Sequence, residues 1–126
     1  MTRFWITLEQ AVDFVLTCMN IMVGGEIFVP KLPSMNIMDL AKAIGPNCST
    51  KVVGLRPGEK LHEVMVPRDD AINTLEYETF YLIKPAFQYF KRRFYEDGCK
   101  KVPDSFEYNS GTNTLWLTID EMKSMC

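Results

Sequence analysis

Patterned cysteine is missing from this chain. The four cysteines, at positions 18, 48, 99 and 126, form no Cys-x-x-Cys pair and no spacing that suits a metal. In a chain that is neither tiny nor visibly secreted they read as reduced thiols. Histidine is scarcer still. His62 stands alone, and Val66 occupies the place that the second histidine of a zinc-protease motif needs, so no metal is expected. No stretch approaches the roughly 18 uncharged apolar residues of a membrane helix. The longest apolar segment, Ala11 to Val23, is interrupted by Asp13 and Asn20. The basic region and apolar core of a signal peptide are missing too, since Glu9 and Asp13 come early, and the cytoplasm is the expected location. A strong charge of one sign is also lacking. A net charge of -2 and a pI near 5.4 argue against a nucleic-acid or anionic-membrane partner. Lys91, Arg92, Arg93, Lys100 and Lys101 therefore read as a solvated basic face.

What is present suits one soluble α/β domain spanning residues 1–126, with 47% hydrophobic residues and so enough for a modest core. Thr7-Leu8-Glu9-Gln10 is a capping box, and the helix it opens is expected to run to about Val23 and stop at Gly24-Gly25. Its apolar residues form two adjacent stripes. Leu8, Val12, Val15, Met19 and Met22 make one; Ala11, Phe14, Cys18 and Ile21 make the other. Together they cover about half the circumference, so the helix calls for neighbours on two sides. Glu26 to Val29 reads as a strand closed by Pro30, and Ser34 as the cap of a helix from Met35 to about Ile44, ended by Gly45-Pro46. Lys51 to Leu55 and Tyr77 to Ile83 read as strands, Lys60 to Met65 as a helical turn, and Phe87 to Tyr95 as either helix or strand. Thr118-Ile119-Asp120-Glu121 is a second capping box, with Leu117 and Met122 spaced as a hydrophobic staple, opening a helix to Cys126.

The most informative stretch is Arg56-Pro57-Gly58-Glu59-Lys60-Leu61-His62-Glu63. Pro57 presets the second position of a turn and Gly58 permits a left-handed backbone at the third. Such a turn holds Arg56 and Glu59 in fixed places. A guanidinium suits bidentate capture of phosphate, and an ionised carboxylate, which only accepts hydrogen bonds, suits the vicinal hydroxyls of a ribose. Two readings stand side by side: half of a grip on a nucleoside diphosphate, or a surface turn whose charges are merely solvated.

Met1 to Thr7, Gly24 to Lys31, Asp39-Leu40-Ala41, Arg56 to Glu63, Phe106 to Asn113 and Leu117 to Glu121 recur together in one order. In this the chain resembles the C-terminal part of the configuration-inverting UDP-N-acetylglucosamine 4,6-dehydratases. These belong to the extended short-chain dehydrogenase/reductase group and serve pseudaminic acid and polysaccharide biosynthesis. The resemblance implies an N-terminal Rossmann domain for NADP and a smaller C-terminal part that closes over a UDP-sugar. It further implies that Arg56 clamps the diphosphate, that Glu59 holds the ribose hydroxyls and that Arg3 brings a second guanidinium to the phosphates. Lys60, His62 and Glu63 would have structural or supporting roles. The departures from the family are as telling. No glycine-rich dinucleotide turn occurs. No Tyr-x-x-x-Lys pair occurs either, because Tyr81 is followed by lysine three residues later, not four. The expectation is thus a small substrate-binding domain with the Rossmann half absent, starting at Met1 inside the family pattern. Alone it would carry no catalytic residue and hold no cofactor. Its expected partners are a UDP-sugar and either a separate Rossmann chain or further copies of itself. Three readings follow: a split enzyme, a non-catalytic binding or interaction module, and a truncated remnant without activity.

Overall fold

The computed structural model describes residues 1–87 and 98–125. In chain order the elements are β1 (Thr2–Phe4), α1 (Leu8–Ile21), β2 (Ile27–Pro30), β3 (Ser34–Asn36), α2 (Ile37–Ile44) and β4 (Val64–Val66). A 3-10 turn, Arg68–Asn73, follows, and then β5 (Thr74–Glu76), β6 (Phe80–Ile83), β7 (Lys100–Lys101), β8 (Tyr108–Asn109) and α3 (Ile119–Met125). The expected mixed α/β character holds, with short strands throughout. The helix-or-strand segment from Phe87 to Tyr95, apart from Phe87 itself, the basic cluster Lys91 to Arg93 and the terminal Cys126 lie outside the described residues.

The chain divides into two compact units, each assembled from separated segments. The first takes residues 1–7, 32–64 and 108–126. In it β1 pairs antiparallel with β3, Arg3 opposite Met35. Helices α2 and α3 pack together over a core of Met35, Ala43 and Met122, with Trp5, Ile37, Leu40, Leu117 and Ile119 around it. Met122 is fully buried, so the staple expected from Leu117 and Met122 forms part of this core. The capping box at Thr118 is reciprocal. Glu121 accepts from the Thr118 amide at 2.8 Å and from its hydroxyl at 2.7 Å, and the Glu121 amide donates to Thr118 Oγ1 at 3.3 Å. These bonds hold the Glu121 carboxyl below its ordinary titration range.

The second unit takes residues 8–31 and 65–107. Its antiparallel sheet has the order β2-β6-β5-β7. Phe80 anchors it, stacked on Tyr77 at 4.6 Å and edge-on to Phe14 of α1 at 6.3 Å. The two stripes of α1 have different fates. Ala11, Phe14, Cys18 and Ile21 are half-buried, whereas Leu8, Val12, Val15, Met19 and Met22 are exposed. No residue of α1 is fully buried. After the helix Gly24 and Gly25 have φ of +131° and +86°, and the Glu26 carboxylate accepts from the amides of Val23 and Gly24. The carboxylate thus satisfies two amides of the turn that follows the helix.

Four expectations need correction. Ser34 is not a helix cap: it lies in β3, fully buried, and accepts from Asn113 Nδ2 at 3.0 Å. The cap is Asn36, whose side chain accepts from the Met38 amide at 2.9 Å. Lys51 to Leu55 form no strand. Val52 and Val53 are 85% and 79% exposed, and β-branched residues make a strand only where a neighbour supplies hydrogen bonds and a covering face. Lys60 to Met65 form no helical turn; the segment bends and enters β4. Tyr77 to Ile83 is not one strand. Tyr77 N–H donates to Phe80 O at 2.9 Å, closing a hairpin between β5 and β6.

Candidate functional site

The turn at Arg56 forms as its residues dictate. Glu59 N–H donates to Arg56 O at 3.0 Å, and Gly58 has φ +82°, the value that the third position of a type II turn requires. One oxygen of Glu59 folds back to accept from the Arg56 amide at 3.1 Å, so the carboxylate stiffens the turn that carries it. The Arg56 guanidinium has no intramolecular partner among the described residues. Residues 46–62 are all exposed. A free guanidinium on a braced turn can meet a phosphate at small entropic cost, because the backbone is already ordered.

The far end of the motif is anchored in the first unit. Thr2 N–H donates to Leu61 O at 2.9 Å, and Ser110 N–H donates to Glu63 O at 2.8 Å. The Glu63 carboxylate accepts from the Phe4 amide at 2.9 Å and lies 3.6 Å from Arg3 Nε. Arg3, on β1, also donates through Nη1 to Thr2 O at 2.7 Å. Arg3 is thereby tied to the segment 61–63, with Nη2 uncommitted among the described residues. The structure thus brings Arg3 to the base of the motif, while Arg56 and Glu59 stand together on its exposed turn.

His62 is held from the side. Its Nδ1 lies 2.8 Å from Thr2 Oγ1, which lies 2.7 Å from Ser110 Oγ, and Ser110 Oγ accepts from the Glu63 amide at 2.9 Å. Gly111 makes room for the ring, since a Cβ there would sit 2.6 Å from Nδ1. Sequence reasoning missed Thr2, Ser110 and Gly111. They are separated from His62 by about fifty to sixty positions, and only their recurrence in the motifs around Met1 to Thr7 and Phe106 to Asn113 pointed to them.

Among the described residues no glycine turn opens a helix in the manner of a dinucleotide site. Pyrophosphate cradles need a glycine turn that opens a helix. Here β1 passes to α1 through Trp5-Ile6-Thr7 and β3 runs directly into α2, while Gly24 and Gly25 follow a helix instead of preceding one. Among the described residues no cluster of three or more His, Cys, Asp or Glu is placed to hold a metal, and no helix is long and apolar enough to cross a membrane.

Comparison with known proteins places these motifs in context. A family profile described as "Polysaccharide biosynthesis protein" matches residues 1–85. A UDP-N-acetylglucosamine 4,6-dehydratase (inverting) of Campylobacter jejuni serotype O:2 is 47% identical, over 97% of this chain and 38% of the relative. A UDP-glucose 4-epimerase of Rickettsia felis is 32% identical, over 99% of this chain and 38% of the relative. Among solved structures, that of Pen from Bacillus thuringiensis matches with a TM-score of 0.79 and 25% identity, over 99% of this chain and 38% of that one. The chain thus spans a little over a third of the length of these relatives.

Proposed function

Since this chain belongs to the polysaccharide biosynthesis protein family, we propose that it is the UDP-sugar-binding portion of a UDP-N-acetylglucosamine 4,6-dehydratase-like protein. In this reading Arg56 binds the diphosphate, Glu59 accepts from the ribose hydroxyls through its uncommitted oxygen, and Arg3 supplies the second cation to the phosphates. Turnover requires an NADP-binding Rossmann half that these residues do not provide. The relatives fit a binding role: one is named for a dehydratase and another for an epimerase, and the substrate class their names share is a UDP-sugar. The carrying observation is the Arg56 guanidinium, unpartnered among the described residues on a turn braced by Glu59.

Calorimetry with UDP-N-acetylglucosamine on wild type and Arg56→Ala tests the binding. Loss of a charged hydrogen bond to phosphate should weaken affinity about tenfold or more. Equal heats from the two proteins reject ligand binding through this turn. Co-expression with a dehydratase Rossmann half tests the division of labour: a complex that performs 4,6-dehydration is expected, and neither complex nor turnover sinks it.

A second reading is favoured by α1. Its exposed stripe of Leu8, Val12, Val15, Met19 and Met22 is the surface of an interaction module, met by a Rossmann chain or by another copy. Copies that associate through this stripe and ignore UDP-sugars would favour a non-catalytic scaffold.

A further inference from the structure

The hydrogen bonds around His62 can run in only one direction. A backbone N–H can only donate, so Ser110 Oγ accepts from Glu63 at 2.9 Å. Ser110 is fully buried, and the other partner of its hydroxyl among the described residues is Thr2 Oγ1 at 2.7 Å. The Ser110 hydrogen must therefore point to Thr2, or be left buried without an acceptor. Thr2, 5% exposed, already accepts that hydrogen, and its own goes to His62 Nδ1 at 2.8 Å. A ring nitrogen that accepts carries no hydrogen, so the neutral imidazole has its hydrogen on Nε2. His62 is exposed as a residue while its Nδ1 edge is tied inward to Thr2, which leaves the Nε2 edge outward. Gly111 leaves the space that the ring occupies, because a side chain there would displace it.

We propose that Thr2 and Ser110 are positioning residues that fix His62 as the Nε2–H tautomer, and that this hydrogen is donated to a phosphate oxygen of the ligand held by Arg56. The tautomer follows from the geometry of the free protein; the ligand contact rests on the reading of the Arg56 turn as a UDP-sugar site. His62 stands three residues beyond Glu59 in the same exposed segment, and the anchoring of Leu61 and Glu63 gives the ring a fixed base. A side chain that is set in one tautomer before the ligand arrives loses nothing to tautomer choice on binding.

Nitrogen NMR on the 15N-labelled full chain decides the first half, and the spectrum is unambiguous because the chain has one histidine. At about pH 9, well above the ordinary imidazole range of about 6.5, the wild type should show a protonated Nε2 and a bare Nδ1. Thr2→Val, which removes the hydroxyl and keeps the shape, should show a mixture, and Thr2→Ser should restore the single form. A protonated Nδ1 in the wild type overturns the proposal, and that spectrum decides even if Thr2→Val does not fold. Titration with UDP decides the second half. The Nε2 signal should move and His62→Phe should bind about tenfold more weakly. UDP binding unchanged in His62→Phe overturns the ligand contact. A wild type that ignores UDP altogether overturns the Arg56 reading and this contact with it, while the tautomer stands or falls on the free protein.

Discussion

Gly58 controls where Arg56 is aimed. At φ +82° an L-residue with a Cβ is strained by about 1 kcal/mol or more, and the turn can relieve that strain by changing type. Nothing lies within 4 Å of a Cβ built there, so Gly58→Ala creates no clash, and backbone strain is its sole effect. UDP-N-acetylglucosamine affinity should fall about fivefold in Gly58→Ala, with a smaller loss in Gly58→Asn, since asparagine tolerates the left-handed region. Calorimetry checks this, and identical affinities in all three proteins would show that the turn's shape is irrelevant. This residue was legible from the sequence, because Pro57-Gly58 fixes a turn locally. The His62 relay was not. Its members meet through contacts as much as 108 positions apart, and no local pattern of donors and acceptors announces such a meeting.

Helices and strands obey the same division between local and distant causes. The box at Thr118 was readable because both partners sit within one turn, and the bonds expected of it all form. Ser34 was misread as a cap because strand pairing with β1, a tertiary event, took it first. Lys51 to Leu55 carry strand-forming residues without a strand to join, so propensity there has nothing to act on. The cap on α3 also makes a pH prediction. Glu121 titrates below its usual range in the folded chain, so its stabilisation is fully present above the ordinary carboxylate value of about 4.3 and is lost as pH falls through the lower, folded value. Amide exchange in α3 should therefore quicken between about pH 5 and pH 3 in wild type, relative to Glu121→Gln, which does not titrate. Equal acid sensitivity in the two proteins would contradict this.

For the molecule as a whole, an apolar stripe as exposed as that of α1 favours association in solution. The sequence called for neighbours on two sides of this helix, and one side is met by Phe80 and its sheet. Val15 and Met19 are 56% and 63% exposed, so replacing both with lysine removes apolar surface from water at little cost to the fold. The chain alone should self-associate, and Val15→Lys with Met19→Lys should bring it to a monomer by analytical ultracentrifugation with unchanged circular dichroism. A wild type that is already monomeric at high concentration would show that the stripe attracts no copy of itself.

The bond between Thr2 and Ser110 has a temporal meaning as well. A chain made from its N-terminus releases Arg56 to Glu63 long before Ser110, and a contact spanning 108 positions is among the slowest kind to close. Until Ser110 and Gly111 emerge, the motif's histidine lacks its full ring seat and its hydroxyl relay. The ordered seat of His62 is thus acquired later in synthesis than the turn at Arg56, which needs only its own neighbours.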